Sequence, residues 1–154
     1  MPNIVIKIPS GVLDCDARAT LVGAINRVAA EVEQIADDPK KQFLCWIAID
    51  EIAPGNWTCG GNDVTAHFIP VLAVVHLPAG VLDDAARARY AEGMHAALAS
   101  ALPREGRRIL SSCIFNEVPD GMWGVSGALW RLEDFAAAAG FRHLAHLPGR
   151  KAPG

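Results

Sequence analysis

The sequence predicts an α+β fold of two tandem β-α-β units, their four strands forming one mixed sheet with two helices on one face, followed by a C-terminal helix. Two observations carry this expectation. The first is a repeat: Ile8-Pro9-Ser10-Gly11-Val12-Leu13-Asp14 returns as Leu77-Pro78-Ala79-Gly80-Val81-Leu82-Asp83, and Asp50-Glu51-Ile52 with Gly55 and Trp57 returns as Asn116-Glu117-Val118 with Gly121 and Trp123. Two anchors in the same order at nearly the same separation mark a duplicated unit, residues 2–61 and 70–127. The second is the pattern inside each copy, which runs strand, helix, strand.

Each unit opens on an apolar strand, 4–8 and 71–77, rich in Val and Ile and closed by a Pro-x-Gly turn. Asp14 and Asp83 stand where a helix N-cap belongs, because a short carboxylate can accept from the first unpaired backbone amides. Leu21, Ile25, Val28, Val32 and Ile35 recur at helical spacing, and Tyr90, Met94, Ala97 and Ala101 keep the same stripe with smaller side chains. Each helix therefore lays one face on a sheet. Loops at 37–41 and 103–106 end the helices, and second strands are expected over 43–49 and 110–115. A unit of this kind closes as a right-handed crossover with parallel strands. Joined edge to edge, two units leave the sheet face opposite the helices bare and apolar, a surface that asks for a partner. Residues 62–67 suit a connecting loop or short hairpin, 129–139 an added helix ending at Gly140, and 148–154 a flexible tail behind a single domain over 1–147.

With 51% hydrophobic and 20% charged residues, the 154-residue chain can bury a sizeable core. A net charge of -3 with scattered Lys and Arg gives no basic field for nucleic acid. No run of about 18 apolar residues is present to span a membrane, and the start lacks a basic-then-apolar leader pattern, so a cytoplasmic protein is expected. Cys15, Cys45, Cys59 and Cys113 have no C-x-x-C spacing and read as reduced thiols. His143 and His146 have only weak metal spacing, and Gly60-Gly61 lacks the ending of a phosphate loop.

The amino end carries the chemistry. Pro2 directly follows Met1, and methionine ahead of so small a residue is expected to be removed, leaving a secondary amine. An extended amino end also tolerates proline for no functional reason, since nothing precedes it to hydrogen-bond. Pro2 opening a strand, the Pro/Gly turn, the amphipathic helix and the closing segment Asn116-Glu117-Val118-Pro119-Asp120-Gly121-Met122-Trp123-Gly124-Val125-Ser126-Gly127 together resemble the tautomerase superfamily, closest to 4-oxalocrotonate tautomerase-like subunits fused two in a chain. The stretch from Phe43-Leu44 through Pro54-Gly55-Asn56 to Gly60-Gly61 is similar to the cis-3-chloroacrylic acid dehalogenase-like branch.

The resemblance implies a homotrimer of duplicated chains, a small-molecule substrate, and no metal or organic cofactor. It implies catalysis by the amine of Pro2, with Asn3 beside it and Trp57 as the aromatic wall, Trp123 being its counterpart in the second copy. Only the first copy can supply an amine: the second has Val71 at that place, next to an internal Pro70 whose nitrogen is a tertiary amide. The family's carboxylate-gripping arginines are missing. Val12, Val81, Trp46 and Ser112 hold those places, and Pro78 with Val81 holds those of the arginine pair of the dehalogenase-like branch. Lys7, His76, Arg107 and Arg108 are the available replacements, and Glu51 and Glu117 belong to the structural signature. The expected activity is keto–enol tautomerisation of a small acid more apolar than a dicarboxylate, with Pro2 as base and Trp46 and Trp57 in the pocket. Two alternatives stand beside it. One is hydration, dehalogenation or decarboxylation with Pro2 as acid, and the other is a trimeric binding or scaffold protein with a vestigial site.

Overall fold

The computed structural model describes residues 2–102 and 105–147; Met1, positions 103–104 of the second helix-ending loop, and the tail 148–154 expected to be flexible lie outside the described residues. In chain order the elements are β1 (Asn3–Pro9), α1 (Cys15–Val32), α2 (Pro39–Gln42), β2 (Trp46–Ile52), β3 (Phe68–Pro78), α3 (Asp84–Ala101), β4 (Arg108–Val118), β5 (Trp123–Val125), β6 (Ala128–Trp130) and α4 (Leu132–Ala139), then a 3-10 turn at Arg142–Leu144.

The duplication is visible residue by residue. Helices α1 and α3 are both 18 residues long, and each is capped by the expected aspartate, Asp14 Oδ1 accepting from Ala17 N and Asp83 Oδ1 from Ala86 N, both at 2.7 Å. An ion pair is repeated too: Arg18 in the first turn of α1 meets Glu51 on β2 at 3.1 Å, and Arg87 in α3 meets Glu117 on β4 at 2.8 Å. Both glutamates thus fasten the helix start to the strand end.

The sheet order is β2-β1-β3-β4, with β1 parallel to β2, β3 parallel to β4, and β1 antiparallel to β3. The central seam pairs Val5 with Val74, equivalent positions of the two copies, so a pseudo-two-fold axis passes between them. Side chains alternate across a strand. Ile4, Ile6 and Ile8 of β1 and Ile69, Val71, Ala73, Val75 and Leu77 of β3 are buried on the helix side, against Leu21, Ile25, Ala29, Tyr90, Met94 and Leu98. Helix α3 packs close to α1 because it has Gly93, where a Cβ would come within 2.7 Å of Val28 Cγ1. On the other face lie Val5, Trp46, Leu72, Val74, Leu110 and Ile114, with Trp46 58% and Ile114 49% exposed. The expected bare apolar face is present, and Lys7 crosses it to pair with Asp50.

Two elements begin later than expected. The second strand begins at Trp46 instead of residue 43, since Asp38 caps a one-turn helix started by Pro39 and Phe43 ends it. The expected helix at 129–139 starts at Leu132, because Ala128–Trp130 pairs with Trp123–Val125 as a small hairpin and Asp120 Oδ1 accepts from Leu132 N at 2.6 Å. It ends at Gly140 as expected, in the left-handed conformation. Residues 62–67 are turns, holding only the isolated bridge between Cys59 and Asn62 at their start.

Candidate functional site

Topology decides what meets Pro2. Helix α1 connects two parallel strands, so it runs back against them and its C-terminal end returns to the edge where β1 begins. Strand β3 is antiparallel to β1, so it ends at that edge and α3 starts there. The beginnings of β1, β2 and α3 and the end of α1 therefore converge. Pro2 is buried, has the same parity as Ile4 and Ile6, and so belongs to the helix side of the sheet. Its carbonyl accepts from Trp46 N at 3.0 Å.

The C-terminal segment closes this edge. Ala36 N donates to Ala139 O at 3.3 Å, Arg142 N to Gln34 O at 3.0 Å, and His143 Nε2 to Val81 O at 2.9 Å. A carbonyl only accepts, so Nε2 of His143 carries a proton, and its Nδ1 is buried with no hydrogen-bond partner among the described residues. Beneath the segment sits Glu33, the C-cap of α1 and 0% exposed. Tyr90, also 0% exposed, donates its hydroxyl to Glu33 Oε1 at 3.0 Å and meets Phe115 edge-on. Burial pushes the Glu33 carboxyl above its ordinary value, against the opposing pull of the Tyr90 hydrogen bond and of His143. Burial and then the charge of Glu33 push the Tyr90 hydroxyl well up, and the same two causes push the Cys45 thiol up to about 12. Tyr90 is thus a neutral donor and Cys45 an inert thiol.

The expected site residues fall into two groups. Asn3, Trp46 and Pro78 lie at the Pro2 edge: Asn3 pairs with Trp46 and His76, and its Oδ1 is buried without a hydrogen-bond partner among the described residues. His76 is engaged by the Asn116 amide, which donates to Nδ1 at 2.8 Å. Trp123 is at this end too, its ring centroid 5.2 Å from that of Phe135 in the core. Lys7, tied to Asp50, and Ser112, paired with Leu72, lie toward the other end of the sheet. Trp57 is there as well, in a cavity of about 120 Å³ with Pro9, Val12, Pro54, Thr65 and Arg107. A seven-residue strand separates the two ends by roughly 20 Å. Pro2 and Trp57 are not brought together within one chain. His143 and His146 form no metal cluster, since no group of three potential ligands exists among the described residues.

Sequence reading missed Glu33, because a glutamate just past a helix end ordinarily faces water and the segments that bury it are distant in the chain. The repeat held a signal. Glu33 aligns with Leu102 and Tyr90 with Leu21, so a polar pair in one place replaces an apolar pair in the other.

Two β-α-β units about a pseudo-two-fold seam are an arrangement that this chain shares with solved tautomerases. Specifically, the chain has the fold of the fused 4-oxalocrotonate tautomerases (4-OT). It is similar to a fused 4-OT forming a symmetric trimer (20% identity, TM-score 0.66, covering 89% of this chain and 98% of that one). It is similar also to a protein solved after inactivation by 2-oxo-3-pentynoate (12%, TM-score 0.62, 83% and 94%). A third likeness is to a probable enzyme from Aspergillus fumigatus (18%, TM-score 0.66, 98% of each chain). No protein-family model and no curated protein matches the sequence.

Proposed function

We propose that the chain is a cofactor-free keto–enol tautomerase acting as a homotrimer, with the amine of Pro2, freed by loss of Met1, moving the proton. The observation that carries this is the buried Pro2 at the closed edge of a sheet whose fold is that of fused 4-OT chains. The neutral amine takes the enol hydroxyl proton, the enol electrons shift to form the carbonyl, and the amine returns a proton to carbon. One proton leaves the substrate and one arrives, so the balance closes on Pro2 alone. The bare face with Trp46 and Ile114 exposed suits burial between copies, and a second copy is also what would set a Trp57 against Pro2.

Val12, Val81, Trp46 and Ser112 carry no charge, Lys7 is held by Asp50, and Arg107, the cation lining the Trp57 cavity, already faces Glu105 at 3.5 Å. A monoacid aromatic enol such as phenylenolpyruvate should therefore turn over better than a dicarboxylate enol. Each absent arginine contact, about 1.5–3 kcal/mol, corresponds to roughly 10-fold or more in kcat/KM. Side-by-side assays check this, and a preference for the dicarboxylate would show another cation at work. The central test is chemical: 2-oxo-3-pentynoate should label the Pro2 peptide of a methionine-free chain and abolish turnover. A Pro2→Ala chain that is folded and as active as the parent ends this reading and favours a binding protein.

A further inference from the structure

We propose that Glu33, held by Tyr90, is a positioning residue for the Pro2 amine: its carboxyl sets the proton affinity of that nitrogen, and the two groups titrate as a pair. This rests on the reading of Pro2 as a terminal amine. Four observations support it.

Glu33 is the one charged side chain fully buried among the described residues, and a buried carboxyl without an electrostatic role costs stability. The path of the chain delivers it to the edge where β1 starts, on the side of the sheet to which Pro2 belongs. The fold itself has no need of the pair: in the second copy the same two places are filled by Leu102 and Leu21, 5% and 0% exposed, where the copy has Val71 and no amine. Finally, the C-terminal segment seals the edge, so the pair interacts through protein rather than water and is only weakly screened.

The groups facing Glu33 are Tyr90 from α3, Cys45 ahead of β2 and His143 from the C-terminal turn. Cys113 on β4 acts on Tyr90, while Asp83 and Arg89 line the adjoining cavity with His143. Tyr90 and Cys45 are held protonated, which leaves the carboxyl and the amine as the pair between which a proton can be shared. A proton shared by amine and carboxyl gives macroscopic titrations that belong to the pair. Relative to a neutral neighbour, the carboxyl raises the amine's affinity for its proton, so the pair sets the pH above which the neutral amine is present to act as base.

The test is an NMR titration of 15N-proline-labelled, methionine-free protein. Glu33→Gln, nearly the same in shape, should lower the amine pKa by about 1–3 units, and Tyr90→Phe should lower it less. The limb of kcat/KM set by the amine should move by the same amount. An amine that titrates within about 0.3 unit of the parent in Glu33→Gln, or in Tyr90→Phe should the first variant fail to fold, overturns the proposal. The outcome is separable from the catalytic reading: a shifted amine with a fully active Pro2→Ala leaves the pair standing and removes its role in turnover, whereas an unshifted amine with an inactive Pro2→Ala does the reverse.

Discussion

The two β-α-β units share a backbone plan and differ in what they bury at its edge. Both have an 18-residue helix, an aspartate cap and an arginine–glutamate clasp. At the edge, however, the first joins Pro2, Glu33 and Cys45 to Tyr90 of the second, whereas the second sets Val71, Leu102 and Ser111 beside Leu21 of the first. The caps and clasps are present twice, and the groups proposed to handle a proton are present once. The repeat thus acts as an internal control, separating structural from chemical roles without reference to any other protein.

That comparison can be broken or sharpened. The largest effect should come from Pro2→Ala, which removes the secondary amine and should lower kcat/KM by about 10²–10⁴-fold while leaving the circular dichroism spectrum intact. Adding Val71→Pro should recover nothing, because an internal proline nitrogen is an amide. Next, Leu102→Glu copies the carboxyl into the unit without an amine and should cost about 3–5 kcal/mol in urea unfolding, an uncompensated buried charge. A loss below about 1 kcal/mol would mean that the second edge is wetter than Leu102 and Leu21 indicate.

A pH series isolates Glu33. Burial raises its carboxyl above the ordinary 4.5, so the folded chain prefers the protonated form; that preference contributes fully below 4.5 and is lost as pH rises through the raised folded value. Glu33→Gln, which mimics the protonated acid, should match the parent in acid and exceed it in melting temperature at neutral pH and above. A variant less stable than the parent at every pH would make Glu33 a structural residue. The smallest effect concerns Gln34, which follows Glu33 in the left-handed region at φ 54 without being glycine. Gln34→Gly should stabilise by up to about 1 kcal/mol in the same unfolding assay, since only glycine takes that conformation without a penalty.

The plan common to both units was legible because it is written in local signals: alternation in the strands, Asp14 and Asp83 at the caps, and the repeated anchors. The start of β2 was missed because Asp38-Pro39 is a strong local helix start inside a run of apolar residues that reads as strand. Trp57 and Pro2 share a motif-level expectation but lie at opposite ends of one chain, as spacing along a sequence carries no information about which copy supplies a wall. Glu33 was illegible for a different reason. Its burial is set by Tyr90 and by residues 139–143, and a side chain's dielectric surroundings are a property of long-range packing.

The antiparallel seam between β1 and β3 has a consequence for how the polypeptide can be divided. All pairing of β2 is with β1 and all pairing of β4 is with β3, so a cut in the connection at 53–67 leaves each strand-helix-strand half whole. What such halves would lose is the edge around Val5 and Val74 and the contact of α1 with α3, an interface between non-covalent partners. Co-expressed as separate polypeptides, they should reassociate, and the amino-terminal half would then carry Pro2 and Glu33 while the other carried Tyr90, whose hydroxyl Glu33 accepts from. The duplicated chain is in that sense a heterodimer with a tether, each member free to accumulate substitutions that its twin does not share.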